Sequence, residues 1–536
     1  MTSFGIWGLI PPVLTITLAF ITKDVVVSLF LGILSGTLIV AGGNPLMAII
    51  NLTDLVAGSL NDGWNIRIFL FCALLGGLVG MLSKTGSAHA FGKWAADKLH
   101  TQKASLLMTW FCGLLIFIDD YFNSLAVGTI MRPITDKNKV PRAQLAYILD
   151  STAAPVCILV PISSWVITVM SIVKGSEGFS SLGISEFSFF LRSVPYNLYA
   201  LLTIIMVFAL IFTGRDYGPM ARSIAYAKET GKLYNESYGP APGDLDMAEG
   251  SGTARPFDML FPLIVLVASA IALFPITTYL LEIDGESIRT IGEAAASMSL
   301  GDAFNNTDAS MALFYSVIFT LVLTYIYYTV RKLFTIRAAS EAITDGIKSM
   351  VPALIILAMA WTIGSVINES PADGGLGLAS FLSEAVSGGG FPIALVPIIA
   401  FTLSALISFS TGTSWGTFAI MIPIVMPIAV SLGQAKGFDG TALLNATLIS
   451  IGAVLGGSVF GDHASPISDT TILSSTGAGC PHLEHVATQM PYALTAAICA
   501  LIGFIVGGIT LNAIAAWVAT LAAFAAALVL LPRYYK

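Results

Sequence analysis

Two adjacent carboxylates lie in a largely apolar stretch at residues 117–134, FIDDYFNSLAVGTIMRPI. Ionisable groups inside a hydrophobic segment are costly, and membrane proteins keep them mainly to handle ions or protons. The candidate ion ligands in this stretch are Asp119, Asp120, Asn123 and Ser124. Carboxylate and amide oxygens bind hard cations, and a carboxylate can instead take up a proton. The alternative is a structural role, in which one aspartate forms a salt bridge with a base such as Arg132.

A second polar turn, FSTGTSWGT at residues 409–417, comes directly before an apolar run. Its hydroxyl-bearing side chains include Ser410, Thr411, Thr413 and Ser414. Gly412 and Gly416 would let the backbone approach a ligand closely, because glycine has no Cβ. We predict that this turn lines the same site as the first. The alternative is a Gly/Ser-rich turn that only packs.

Two further polar segments adjoin prolines inside apolar runs. Asp150, Ser151 and Thr152 precede Pro155, whereas Pro466 is flanked by Asp462, His463, Ser465, Ser468, Asp469, Thr470 and Thr471. A proline removes one intrahelical hydrogen bond and frees a carbonyl, and the half-helix beyond it presents a positive dipole end. The sequence therefore predicts two broken helices whose ends line an ion site.

The candidate Na⁺ ligands are the oxygen-bearing residues Asp119, Asp120, Asn123, Ser151, Ser414 and Asp462. Asp462 and His463 form a candidate proton relay, because histidine titrates near neutral pH, although a single histidine is more often structural. The segment GCPHLEH, with Cys480, His482 and His485, matches no closed zinc set. We expect no tightly bound cofactor, only Na⁺ and H⁺ as coupling or transported ions.

The composition places these segments in a membrane. The chain has 536 residues, of which 56% are hydrophobic and 11% charged, and its mean hydropathy is +0.84. A soluble domain carries about 25% charged residues. The net charge of −7 argues against a nucleic-acid partner. The N-terminus has no basic region before its apolar run, so we expect no cleaved signal peptide.

Apolar runs predict an all-α polytopic protein with two halves, a linker and an extra helix. The first half, residues 1–213, contains helices at 7–21, 24–42 and 66–83, a hairpin at 104–131, a broken helix at 142–173 and a helix at 190–213. Residues 214–256 are rich in Gly, Pro, Ser and acidic residues and are predicted to be a cytoplasmic linker. The second half, residues 257–509, contains helices at 257–281, 309–330 and 349–368, a hairpin at 391–430, a broken helix at 441–474 and a helix at 488–509. The extra C-terminal helix occupies residues 510–536.

Basic residues orient these segments, since positive charge accumulates in cytoplasmic loops. Of the 25 Lys and Arg residues, 20 fall in loops and termini predicted to lie on one side, against three in the opposing loops. This split places the N-terminus outside and the C-terminus in the cytoplasm. The loops on both sides of 104–131 are basic, so this segment must enter from the cytoplasm and return. Non-helical backbone at that depth needs a protein or water-lined cavity.

The two halves resemble each other. The segment IMRPI at 130–134 aligns with IMIPI at 420–424, which places Asn123 and Ser124 opposite Thr413 and Ser414. The loops around 391–430 contain almost no basic residues, so this second hairpin is predicted to enter from outside. Inverted repeats with interrupted helices are typical of secondary transporters, whose sites lie near the membrane midplane.

The segments FIDDYFNSLAVGT, DSTAAPV, STGTSWGT and GDHASPISDTT resemble those of the NhaC-type Na⁺/H⁺ antiporter family, over nearly the whole chain. The resemblance implies cation-coupled secondary transport in a prokaryotic inner membrane. We expect no enzymatic activity, because only isolated Ser, His and Asp residues lie in the membrane segments. The resemblance also implies an elevator-type architecture and a homodimer.

The resemblance leaves the substrate open. The family includes Na⁺/H⁺ antiporters, malate–lactate exchangers and amino-acid carriers. The main prediction is Na⁺/H⁺ antiport by alternating access, and the alternative is a Na⁺- or H⁺-coupled carrier of an amino acid or small carboxylate.

Overall fold

The computed structural model describes residues 3–22, 24–87, 90–91, 94, 99–117, 119–239, 241, 253–281, 298–300, 303, 308–378, 381, 391–466 and 468–535. None of these residues forms a β-strand. A helix satisfies its own backbone hydrogen bonds, as lipid requires. Within these residues, nine helices are long and apolar enough to cross a membrane, or up to eleven if each sharply bent pair is one span. The expected class, an all-helical integral membrane protein, is confirmed.

The helices of the first part of the chain are α1 (Ile10–Thr22), α2 (Val25–Val40), α3 (Pro45–Asn61), α4 (Gly63–Lys84), α5 (Gln102–Leu115), α6 (Asp120–Lys137), α7 (Arg142–Thr152), α8 (Ala154–Cys157), α9 (Ser164–Lys174), α10 (Glu186–Ser193), α11 (Leu198–Thr213) and α12 (Gly218–Thr230). Those of the second part are α13 (Pro256–Leu281), α14 (Ala309–Val330), α15 (Ile336–Ser349), α16 (Val351–Asn368), α17 (Val396–Thr411), α18 (Ser414–Ala435), α19 (Gly440–Ala464), α20 (Asp469–Ala478), α21 (His482–Thr510) and α22 (Ala513–Tyr534).

Side-chain caps begin several of these helices. Asp24 accepts a hydrogen bond from the Val27 N–H at the start of α2, and Asp62 accepts one from the Trp64 N–H at the start of α4. Each cap satisfies a first-turn donor that has no intrahelical partner. The chain therefore ends one helix and starts the next at fixed points, even between the neighbouring helices α3 and α4.

Three helices lie outside the predicted apolar runs, namely α3, α12 and α15. The axes of α2 and α3 differ by 119°. α12 occupies part of the stretch that we expected to be an open linker, and Tyr217 beside it donates a 2.8 Å hydrogen bond to Thr495 of α21. The composition did not predict this docked helix; residues 242–252, in the rest of the linker, lie outside the described residues.

The segment from α5 to α6 turns back on itself. Gln102, at the start of α5, donates a 2.8 Å hydrogen bond to the Lys139 carbonyl just beyond α6. Asn138 donates one of 2.8 Å to the Ser105 hydroxyl of α5. Because the two outer ends meet, α5 and α6 form an antiparallel helical hairpin.

The helices α17 and α18 also lie side by side. A Cβ placed on Gly433, near the end of α18, would lie 3.7 Å from the Ile393 side chain just before α17. Gly412 makes the connecting turn possible, since its φ of +73° is a left-handed conformation that favours glycine. These two helices therefore form a second hairpin whose turn lies at residues 412–413.

Glycines bring the second hairpin against α19. A Cβ on Gly461 would lie 2.5 Å from the Ala405 carbonyl oxygen of α17, and one on Gly457 would meet the Phe401 carbonyl. Small residues allow this close approach of backbones, which is how membrane helices commonly associate. The hairpin turn is consequently held next to the end of α19, where Asp462 lies.

Candidate functional site

Both predicted helix breaks are present. The first helix stops at Ala153, whose ψ is −93°, and Pro155 lies in the first turn of the short helix α8. The second stops after Ala464, and α20 starts at Asp469 beyond Pro466. A proline has no N–H to continue the ladder, so the backbone at each break is available to side chains and ligands.

Asn123 connects the first hairpin to the first break. Its Nδ2 lies 2.7 Å from the carbonyl oxygens of Gly113 and Ile116 in the same hairpin and 3.0 Å from that of Thr152 at the end of α7. Its Oδ1 is buried and accepts no hydrogen bond from the residues described. The amide therefore holds the turn in place with its nitrogen and leaves an oxygen available inside the protein.

The carboxylates of the first hairpin are buried at its turn. Asp120 begins α6, and its Oδ1 accepts a 3.1 Å hydrogen bond from the Trp165 indole N–H. Asp119 is also buried. The carboxyl groups of Asp119 and Asp462 lie within electrostatic reach of Asp120. This turn therefore holds two buried carboxyl groups, one of them within electrostatic reach of Asp462, which belongs to the other half of the chain.

Asp462 connects the second hairpin to the second break. Its Oδ2 accepts hydrogen bonds from the Ser414 backbone N–H, at 3.1 Å, and the Ser414 hydroxyl, at 2.8 Å. Its Oδ1 accepts from the Ser468 hydroxyl and, at 3.3 Å, from the Thr470 hydroxyl. We call Asp462, Ser414, Ser468 and Thr470 the Asp462 cluster. Every donor in it is electrically neutral.

The two halves meet through small residues of α6 and α20. The Ser474 hydroxyl donates a 3.1 Å hydrogen bond to that of Ser124. One turn further along, a Cβ on Gly128 would lie 2.7 Å from the Gly477 backbone. The first hairpin therefore packs directly on the half-helix that follows the second break.

A second buried cluster was only partly predicted. The Asp150 Oδ2 lies 3.1 Å from His485 Nε2 and 2.7 Å from Gln489 Nε2, and Gln489 also donates to the His463 carbonyl. The histidine is 335 residues from its aspartate in sequence. Within the described residues, Asp150 Oδ1, His485 Nδ1 and Gln489 Oε1 have no hydrogen-bond partner. Sequence reasoning named Asp150 as a site residue, but it considered His485 only as part of a zinc motif and did not consider Gln489.

His463 belongs to this second cluster, and neither of its ring nitrogens hydrogen-bonds to Asp462. Its Nε2 lies 3.1 Å from the Ser151 hydroxyl, and its Nδ1 lies 2.8 Å from the Tyr199 hydroxyl. Successive residues on a helix point about 100° apart, so Asp462 and His463 face different partners. We call Asp150, Ser151, His463, His485 and Gln489 the Asp150 cluster.

Several other predicted site residues make hydrogen bonds that involve backbone carbonyls. The hydroxyls of Thr152, Thr411 and Ser465 donate to the carbonyls of Ile148, Ile407 and Phe409, respectively, and Thr413 accepts a 3.0 Å hydrogen bond from Thr417 at its carbonyl. Asp469 begins α20, and its side chain lies outside the described part of the structure. These residues therefore shape the turns and breaks.

A cavity of about 770 Å³ lies away from both turns. It is lined mainly by α3, α4, α9 and α16. Its charged side chains are Asp54, Asp62, Arg67, Lys174, Asp308 and Glu369. Arg67 pairs with Asp308 at 2.9 Å. The candidate site residues Ser124, Thr413 and Ser414 do not line this cavity.

Helical hairpins, broken helices and buried carboxylates held by neutral donors define a membrane transport protein. A model of the Na⁺/H⁺ antiporter family matches residues 156–509. The chain therefore belongs to the Na⁺/H⁺ antiporter family, as the sequence motifs predicted.

Relatives span different parts of the chain. A Haemophilus influenzae protein described as uncharacterised is 36% identical over 97% of this chain and 94% of its own length. The malate-2H⁺/Na⁺-lactate antiporter of Bacillus subtilis is 28% identical over 42% of this chain and 44% of its own. Among solved structures, one that is similar is MtrF of Neisseria gonorrhoeae, which is described with a class of antimetabolite efflux pumps. The two chains are 12% identical with a TM-score of 0.49, and the match covers 89% of this chain and 86% of MtrF.

Proposed function

We propose that this protein exchanges Na⁺ for H⁺ across the cytoplasmic membrane by alternating access. The observation that carries the proposal is the Asp462 carboxylate, which is 3% exposed and accepts from Ser414, Ser468 and Thr470. Within the described residues, Asp462 has no ion pair with a basic side chain. A buried carboxylate without a counter-charge is costly, so it gains most from binding a cation or a proton.

Competition for one carboxylate makes the exchange obligatory. If Na⁺ and H⁺ bind the same oxygens, each must leave before the other can bind, and metal binding to a carboxylate releases its proton. Asp120 is a second buried carboxyl group within electrostatic reach of Asp462, and a cation bound between the two hairpin turns would offset the repulsion between the two carboxylates. Hydroxyl and carboxylate oxygens are suitable ligands for such a hard cation.

In this proposal the Na⁺ ligands are drawn from Asp119, Asp120, Asn123, Ser414 and Asp462. The free Oδ1 of Asn123 supplies a neutral oxygen. Ser151, an earlier candidate, hydrogen-bonds to His463 and acts instead with the Asp150 cluster, which joins the first break to α21.

The proposed architecture is a pair of inverted repeats, residues 1–213 and 257–509, that move as in an elevator transporter. It is supported by the parallel roles of the two turns, since Asn123 contacts the break at Thr152 and Ser414 contacts Asp462 beside the other break. We place the N-terminus outside and the C-terminus in the cytoplasm, from the distribution of basic residues. A homodimer is proposed from the family resemblance, and cross-linking in native membranes tests it.

The test uses purified protein in liposomes that contain a pH-sensitive dye. With no organic solute present, external Na⁺ is expected to dissipate an imposed pH gradient that is acidic inside, whereas choline at the same ionic strength is not. If Na⁺ leaves the gradient intact while an organic solute collapses it, the antiport proposal is wrong.

A second candidate function is the coupled transport of a small organic solute. The 770 Å³ cavity favours it, because it presents side chains of both charges and lies within the size range of small-molecule sites, about 300–1,000 Å³. The similarity to a malate–lactate antiporter agrees with a carboxylate solute. In that case the stabilisation by Na⁺ should grow when the correct amino acid or carboxylate is added.

A further inference from the structure

A second cavity, of about 610 Å³, lies where the outer ends of the first hairpin meet α11 and α12. Lys103 at the start of α5, Lys139 after α6 and Lys228 in the last turns of α12 line it. Its apolar lining includes Leu106, Leu210 and Ile211. The cavity therefore combines a basic rim with a hydrocarbon wall.

One of these lysines is fixed at the end of α11. The Lys103 Nζ donates a 3.1 Å hydrogen bond to the Phe212 carbonyl and lies 3.9 Å from the centroid of the Phe212 ring. Both contacts favour the ammonium group at this position, since it neutralises the negative end of the helix and faces an aromatic ring.

The second lysine is held by its backbone. Lys139 has a φ of +56°, a conformation that is uncommon for residues other than glycine. Its carbonyl accepts the hydrogen bond from Gln102 that joins the ends of the hairpin.

The acidic side chain in the lining is Asp216, and its Oδ1 accepts a 2.7 Å hydrogen bond from the Tyr492 hydroxyl. Lysines therefore outnumber carboxylates by three to one in this lining.

An exposed apolar face adjoins the basic rim. On α11, Ile205, Phe208 and Phe212 are 40%, 41% and 62% exposed, and the rings of Phe208 and Phe212 stack at 5.9 Å. Phe212 touches Lys103, so the apolar face and the basic cavity are continuous. A soluble anion would use only the lysines, whereas a phospholipid would use both surfaces.

We propose that this cavity binds an anionic phospholipid, with its phosphate among Lys103, Lys139 and Lys228 and an acyl chain along the exposed face of α11. Basic pockets between helices at the membrane surface are suited to such headgroups. The bound lipid would join the two ends of the first hairpin to α11 and α12. The hairpin's mobility would then depend on the lipid composition.

The test compares the full-length protein with the variant Lys103→Gln/Lys139→Gln/Lys228→Gln, in detergent with added phosphatidylglycerol. Native mass spectrometry measures bound lipid, and thermal denaturation measures stabilisation. Each lysine near a phosphate contributes about 1 kcal/mol, so the triple variant should bind about 100-fold more weakly. Lys228→Gln alone, on the exposed side of α12, should bind phosphatidylglycerol about fivefold more weakly. It replaces the triple variant in the test if the triple variant does not fold.

The control variant also removes three positive charges, by replacing Lys332, Arg337 and Lys348 around α15 with glutamine. It is expected to bind phosphatidylglycerol as the wild type does, and phosphatidylcholine is expected to stabilise neither. Equal binding by the cavity variants and the wild type would overturn the proposal. Equal stabilisation of the wild type by inorganic phosphate would also overturn it, since that would indicate a site for a soluble anion.

Discussion

Replacing Asp462 by asparagine should abolish Na⁺ binding while disturbing the fold little. The asparagine oxygen can accept from the Ser414 N–H and hydroxyl, as Oδ2 of the aspartate does. Its amide nitrogen would then face the hydroxyls of Ser468 and Thr470. A hydroxyl can rotate to accept a hydrogen bond, so the surrounding groups remain paired. We expect the free energy of unfolding without Na⁺ to change by no more than about 1–2 kcal/mol.

The loss should appear in the response to Na⁺. A ligand that binds only the folded protein stabilises it by about 2.7 kcal/mol at 100 times its dissociation constant. The wild type should therefore gain about 2.7 kcal/mol at saturating Na⁺, and the Asp462→Asn variant should gain nothing. Tryptophan fluorescence during thermal denaturation in detergent measures the stability of the wild type and of the variant. Each is compared in NaCl and in choline chloride of the same ionic strength.

Asp258 offers a matched control. It is a fully buried carboxylate, but Arg331 lies 3.0 Å from its Oδ2 and balances its charge. Asp258→Asn should lower the basal stability, because it leaves the arginine unpaired, yet keep the full Na⁺ response. If Asp462→Asn retains the response to Na⁺, or if Asp258→Asn loses it, the assignment of the cation site to Asp462 is refuted.

Two further substitutions test the polar contacts that hold the site. Asn123→Ala leaves buried carbonyls of the hairpin and of the first break without their donor, so unfolding should become easier by about 2–4 kcal/mol; a thermal stability equal to that of the wild type would contradict this role. His485→Leu removes one of two side-chain donors to buried Asp150 and should lower the free energy of unfolding by about 3 kcal/mol. His485→Gln can still donate to Asp150, so it should lose less stability. Equal losses for the two variants would show that the hydrogen bond is unimportant.

The apolar runs and prolines of the sequence located most of the helices and both breaks. The runs missed α3, α12 and α15, and for α15 the reason is physical. α15 carries charged residues on its exposed side and packs on α4 through small residues, where a Cβ on Gly346 would meet the Gly76 carbonyl. Such a helix has no continuous apolar run, so hydropathy cannot locate it.

The site was predicted in part. The motifs named Ser414 and Asp462, which the fold brings into contact. They did not name the Trp165 donor of Asp120 or the His485 partner of Asp150. Side chains so far apart in sequence meet only through the packing of whole helices, and no local spacing encodes that.

Competition between Na⁺ and H⁺ at Asp462 is the central claim, and equilibrium binding of ²²Na⁺ to the purified protein across a pH series tests it most directly. If both ions bind one carboxylate, the apparent dissociation constant for Na⁺ should rise by about tenfold for each unit that the pH falls through the range where the carboxyl is mostly protonated. The number of sites should stay constant, and Asp462→Asn should bind no Na⁺. A dissociation constant that does not change with pH, or undiminished Na⁺ binding by Asp462→Asn, would contradict the account.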